Sequence, residues 1–141
     1  MRDLHNNIDA ERVIAPVAKT TIAATVGKVI DLRGYEGCEF IINYGSITAT
    51  DATLTPIVKD GDVTGTLASV ADTYLLGTEA GAGIAAGTPR TSNSNKNVTK
   101  RIGYVGIKRY VNVSITSTVT AATIVSVECI KGKPSRAPVA T

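Results

Sequence analysis

Two stretches near the C-terminus alternate with a period of two residues, and nowhere does the chain keep a helical period for more than two turns. In residues 109–116, Val111, Val113 and Ile115 fall on one face, with Asn112, Ser114 and Thr116 on the other. In residues 122–131, Thr123, Val125, Val127 and Cys129 form a mostly apolar set that is expected to face inward, opposite Ile124, Ser126, Glu128 and Ile130. Side chains that alternate in this way bury one face of a sheet; they do not make the apolar stripe of a helix.

Upstream, short β-branched runs are separated by Gly, Asn, Asp, Thr and Pro, which reads as strands and turns. Residues 12–18 form a first strand. Pro16 sends it to a sheet edge or beside a bulge, because proline cannot donate to the ladder. Residues 21–32 bring Ile22, Val26, Val29, Ile30 and Leu32, with Gly27 marking a bulge or bend. Residues 38–44 make a compact strand ended by Gly45. Residues 52–60 place Leu54, Pro56 and Val58 on one face and end at Asp60-Gly61, a tight-turn signal, with residues 63–70 as the return strand. A short helix competes only within residues 67–76. Residues 77–97 are rich first in Gly and then in Ser and Asn; so long a loop in a compact domain is functional, or disordered when unbound. The sheet resumes over residues 99–106, and the tail from Gly132, with Pro134 and Pro138, is expected not to continue it.

About eight strands at this spacing define an all-β fold, an antiparallel sandwich or barrel, for which the eight-stranded jelly roll is the best-fitting sandwich. The 141 residues make one domain, with an extended N-terminal arm over about 1–11 and a C-terminal tail over about 132–141.

Composition constrains the core and the partners together. Hydrophobic residues are 43% of the chain and aromatics only 4%, with one Phe and no Trp, so the core is built from Ile, Val, Leu and Ala. The surface lacks the Trp platforms on which sugars and single-stranded nucleic acids stack. A net charge of +3 is far from that of a DNA-packing protein. No apolar run approaches the ~20 residues of a membrane-spanning helix, and Met1 to Asn7 lack the apolar centre of a signal peptide. The expectation is a chain made in a reducing cytoplasm, without a membrane partner. Cys38 and Cys129 are then buried free thiols, unless their strands lie close enough for a bridge.

Catalytic chemistry has few candidates. His5, the one histidine, sits too near the chain end to be held within about 3 Å of a nucleophile. One histidine and two isolated cysteines do not supply the four ligands of a structural zinc site. Gly81-Ala82-Gly83-Ile84-Ala85-Ala86-Gly87 looks superficially like a dinucleotide-binding turn, but Thr88-Pro89-Arg90 cannot continue into the helix that would hold a pyrophosphate. Asp51, Asp60, Asp62 and Asp72 lack the spacing and the closing Glu of a calcium loop. The chain therefore reads as a non-enzyme, with no catalytic residue, cofactor or metal. Lys100-Arg101 and Lys108-Arg109 bracket a segment containing Tyr104, and Lys131, Lys133 and Arg136 crowd the C-terminus. Three readings are open: a single-strand nucleic-acid hairpin, the solvated ends of a hairpin, or a complement to an acidic protein surface.

Met1-Arg2-Asp3-Leu4-His5-Asn6-Asn7-Ile8 runs into Arg12-Val13-Ile14-Ala15-Pro16-Val17. Ile30-Asp31-Leu32-Arg33-Gly34-Tyr35, Leu75-Leu76-Gly77-Thr78-Glu79 and the stretch from Arg101 to Val111 follow. In these segments the chain resembles the capsid cementing, or decoration, proteins of tailed bacteriophages. The resemblance implies a jelly-roll virion protein, made in the host bacterial cytoplasm, that sits as a homodimer on the outside of an icosahedral HK97-like capsid. There it would bind the major capsid protein, cement neighbouring capsomers and stabilise the expanded, DNA-filled head, without direct contact to nucleic acid or membrane. On that reading Leu4 and Ile8 are apolar anchors, and Arg2, Lys133 and Arg136 are charged rim contacts. Tyr104, Lys108 and Arg109 are further interface candidates, and Tyr35, Tyr44 and Tyr104 are candidates for the dimer contact. The alternative is a small β-barrel that binds nucleic acid through Lys100, Arg101, Lys108 and Arg109.

Overall fold

A computed structural model describes residues 3–120 and 123–136. The strands among them are β1 (Ile8–Lys19), β2 (Thr25–Val26), β3 (Ile30–Asp31), β4 (Tyr35–Tyr44), β5 (Leu54–Gly61), β6 (Ala68–Ser69), β7 (Leu75–Leu76), β8 (Val98–Tyr104), β9 (Tyr110–Ser117) and β10 (Thr123–Pro134). One short helix, α1 (Glu79–Ala82), lies between β7 and β8. Two antiparallel sheets form, ordered β1-β10-β4-β8-β7 and β2-β9-β5-β6, and β3 also pairs with β9.

The ten strands reduce to a jelly roll of eight. β2 and β3 pair one after the other with the same edge of β9, so they are a single strand broken at residues 27–29. β7 is a two-residue addition to the edge beyond β8. With those two adjustments the first strand lies beside the last, and the chain crosses between sheets at nearly every connection. The break falls where Gly27 was expected to bend the chain. Pro16 lies on an edge strand whose register with β10 shifts between Arg12 and Ile14 and again between Ile14 and Val17. These bulges account for the tolerated proline.

Three expectations are corrected. β1 begins at Ile8, so the arm ends there and not near residue 11. Asp9 and Glu11 hide the strand because they are charged, yet they stand opposite Lys131 and Cys129 of β10. β10 in turn runs on to Pro134, which pairs with Tyr35 as the last rung, where a missing N–H donor does no harm. The return strand expected over 63–70 shrinks to β6, because residues 62–67 curl back over Gly61, where a Cβ would come within 2.8 Å of the Thr66 carbonyl oxygen.

The inward sets are as the alternation predicts: Val111, Val113, Ile115, Val125, Val127 and Cys129 are fully buried. Asn112 and Ser114, on the other face of β9 and opposite Lys59 and Ile57 of β5, are buried as well, which the alternation does not predict. Cys38 and Cys129 are free and buried on adjacent strands, two residues out of register on the same inward face. Their mutual hydrogen bond, and then burial, push the Cys38 thiol up.

The long segment 77–97 is a fixed cover, not an open loop. Ile84 exchanges two backbone hydrogen bonds with Leu54, both 2.8 Å, and the Val58 N–H donates to Glu79 Oε1 at 2.8 Å. Arg90 donates to the carbonyls of Ala49 and Ala52 at 2.8 Å. The glycine run from Gly81 to Gly87 opens no helix: it starts inside the four-residue α1 and runs past its C-terminal end, so it offers no helix N-terminus to a phosphate.

Candidate functional site

The register of both sheets gathers the resemblance-derived residues at one end of the sandwich. Ile8 and Gly37 flank Gly132, Tyr35 pairs with Pro134 and Cys38 with Tyr104; in the other sheet Asp31 and Gly61 flank Tyr110. Residues 3–7, 32–34, 62–67, 105–109 and 135–136 therefore project from the same end. Ten large apolar side chains are exposed among the described residues, and six of them lie here: Leu4, Val63, Tyr74, Leu76, Val105 and Ile107. Ile107 is 88% exposed in the connection from β8 to β9. Apolar clustering of this kind on a single end marks a contact surface.

The charges around it are mostly paired within the chain. Arg109 grips Asp31 with two hydrogen bonds, 3.0 and 2.7 Å, lies 4.8 Å from the Tyr110 ring, and holds the Asp31 carboxyl below its ordinary range. Lys108 pairs with Asp62, which holds its ammonium above the usual lysine value. Lys133 meets Glu36 at 3.4 Å and Arg101 meets Glu39 at 3.7 Å. Lys100 turns toward α1, 3.4 Å from the Gly81 carbonyl. The two basic pairs thus do not form one cationic hairpin face: three of their four residues face carboxylates and the fourth a carbonyl.

Each predicted site residue among the described residues has a definite place. Leu4 is exposed ahead of β1, and Ile8 opens that strand opposite Gly132. Lys133 and Arg136 follow at the end of β10, where the Ser135 N–H donates to the Gly34 carbonyl at 2.8 Å. Arg2 lies outside the described residues. Tyr104, expected at the surface, is fully buried. Its hydroxyl donates to Asp60 Oδ2 at 2.7 Å and accepts from the Lys108 N–H at 3.2 Å, bracing the connection that presents Ile107. Tyr44 is likewise buried and donates to the Ala82 carbonyl at 3.0 Å. Val105, Ile107 and Leu76 were missed. Their signal is visible in Val105-Gly106-Ile107, an apolar segment placed between two strands where turns are normally polar.

Lys131 fastens the start of β1 to this end. It is buried, with Nζ 2.7 Å from Asp9 Oδ2, 3.2 Å from Glu11 Oε2 and 5.0 Å from the centre of the Tyr35 ring. Burial alone would lower its pKa, but the hydrogen bonds and charges of Asp9 and Glu11 outweigh it and hold the ammonium above 10.5. Glu11 is held below 4.5, first by its hydrogen bond from Lys28, against burial, with Lys131 adding to the effect. Lys131→Ala is expected to cost about 1–3 kcal/mol; the figure is below that of a fully buried pair because both carboxylates are partly exposed. The lysine's contribution is full below pH 10.5 and is lost as pH rises through its raised value, whereas that of Glu11 is present above 4.5 and lost as pH falls through its lowered one. Urea melts of both proteins should therefore differ by a constant amount between about pH 5 and 10 and converge in acid. A difference unchanged at pH 2 would separate Lys131 from these carboxylates.

Fold and end face together define a jelly-roll sandwich whose exposed apolar side chains concentrate at one end. No protein-family model and no curated protein matches the chain. No helix among the described residues is long and apolar enough to cross a membrane, and no group of three or more His, Cys, Asp or Glu side chains there is placed to hold a metal ion.

Proposed function

We propose that the chain is a structural virion protein that binds the outer surface of an icosahedral, HK97-like capsid as a homodimer and cements neighbouring capsomers of the expanded head. The observation that carries this reading is the convergence, at one end of a jelly roll, of the N-terminal segment, the end of β10 and the apolar β8–β9 connection. The resemblance to phage cementing proteins supplies the shell as partner. An apolar face bordered by internally paired charges suits a protein surface better than a polyanion, because cations already held by carboxylates have little left to offer phosphates. Many copies on a lattice add up, so a modest contact per copy suffices to reinforce a shell.

Purified protein is expected to co-sediment saturably with expanded, empty shells of the phage that encodes it, and to do so at high salt. Ile107→Asp should weaken that binding at least about tenfold, as for a hot-spot side chain. Binding to single-stranded DNA alone, lost as salt rises, would overturn the reading in favour of the nucleic-acid module.

A further inference from the structure

Beside the end face, on the outer side of the first sheet, lies a trough of about 390 Å³. Its floor is glycine, Gly37 of β4 and Gly132 of β10, and at its side Gly103 of β8 lies beneath Glu39. Leu76, Val105 and Ile130 form apolar walls, and Glu36, Glu39 and Lys133 supply the charge. Two of the glycines have internal reasons to lack a side chain. A Cβ on Gly37 would come within 2.8 Å of the Tyr104 carbonyl oxygen, and one on Gly103 within 2.7 Å of Glu39 Oε2. Gly132 has none: nothing lies within 4 Å of where its Cβ would be, and its φ is not positive. Glycine inside a strand is destabilising, so its presence here keeps the trough open for a group that approaches the backbone closely.

The charge in the trough identifies that group. Glu39 lies across Gly103, about two-thirds buried, and no described residue donates a hydrogen bond to either of its oxygens. Its one counter-charge, Arg101, is 3.7 Å away and 78% exposed. Burial holds the Glu39 carboxyl above its ordinary pKa, with Arg101 pulling the other way. A carboxylate beside an apolar slot, with no hydrogen-bond donor among the described residues and its ion pair to Arg101 long and exposed, is matched by an ammonium or guanidinium on an aliphatic stem.

We infer that the trough is the seat of a lysine or arginine side chain of the capsid shell protein, its stem over Gly132 and Gly37 between Ile130 and Val105, and its cationic head on Glu39. The identity of the partner rests on the cementing reading; the chemistry of the seat does not.

The test has two arms. In the first, the intact protein is titrated with n-hexylammonium and, separately, with n-hexanol and n-hexanoate, following the amide resonances of Gly37, Gly103 and Gly132. Saturable shifts are expected with hexylammonium in the millimolar range, at least fivefold tighter than with hexanol and absent with hexanoate. Glu39→Gln should remove the preference over hexanol. Gly132→Val should abolish binding while leaving the rest of the amide spectrum and the stability intact. No saturable shift, or equal shifts with hexanol, overturns the cationic seat whatever becomes of the cementing reading. In the second arm, Gly132→Val and Glu39→Gln are co-sedimented with shells. Loss of at least fivefold in affinity is expected, and undiminished binding removes the shell protein as occupant while the cementing reading stands. Failure of the unaltered protein to sediment removes the cementing reading, and with it this partner, but leaves a positive first arm in force.

Discussion

Phe40→Ala is expected to lower stability by about 3–5 kcal/mol, because it removes the one wholly apolar ring from a core built mainly of aliphatic side chains. The chain has one Phe and five Tyr, and three of these six rings, Phe40, Tyr44 and Tyr104, are buried on adjacent strands β4 and β8. Phe40 stands opposite Cys129 on one side and Ile102 on the other, and all three are fully buried. A cavity there fills poorly: Cys129 is too small to replace a ring, β-branched Ile102 has few rotamers, and both flanking strands are held by continuous ladders. Against a typical total of 5–15 kcal/mol this is a large share, and the melting temperature should drop by about 10 °C or more. Phe40→Leu, which keeps most of the volume, should cost under about 1.5 kcal/mol and keeps the comparison possible if the alanine variant does not fold. Urea unfolding of the three proteins measures both differences. An alanine variant no less stable than the leucine variant would mean that the core is not centred on this ring.

The sequence carries sheet content and edge positions openly and carries the site only in part. In β9 and β10 the inward positions are aliphatic in unbroken alternation, and Pro16 reports an edge, so a sandwich could be read residue by residue. The start of β1 could not, because Asp9 and Glu11 look solvated until Lys131, on the far side of the chain, is known to lie opposite. Tyr104 failed for a related reason. A tyrosine between basic pairs reads as a surface platform, and only the pairing of β8 with β4, together with Asp60 of β5, turns it inward as a brace. Of the end face, the termini and the β8–β9 connection were legible as separate candidates, but register is what brings them together. The trough was not legible at all. Its floor is the missing side chains of Gly37 and Gly132, which become neighbours only once β4 and β10 are aligned.

Gly27→Val is expected to be at least as damaging per atom added as Phe40→Ala is per atom removed, because it falls where the two sheets are stitched together. The Gly27 N–H donates to the Val113 carbonyl of β9 and the Lys28 N–H to the Val13 carbonyl of β1, each at 2.9 Å, so these two residues bond one sheet to the edge strand of the other. The glycine is there for closeness, not for its backbone angles, since its φ is not positive. A Cβ would lie 2.5 Å from the Val113 carbonyl oxygen and 3.3 Å from Ile14 Cγ1, and nearer still to Val13 Cγ1. The valine methyl group has some freedom to move; the Val113 oxygen, on the central strand of its sheet, has little. Alanine should therefore cost about 2 kcal/mol and valine about 3 kcal/mol or more. Faster hydrogen exchange should accompany the loss at the Lys28 amide and along β1, the strand released when the corner opens. Gly65→Ala is the control: nothing lies within 4 Å of its Cβ position, and its change should stay within about 0.5 kcal/mol. If Gly27→Ala proves as mild as that control, the corner yields without loss. The break between β2 and β3 would then owe nothing to the close approach of Val13 and Val113, and the ten strands would need another cause for their tenth.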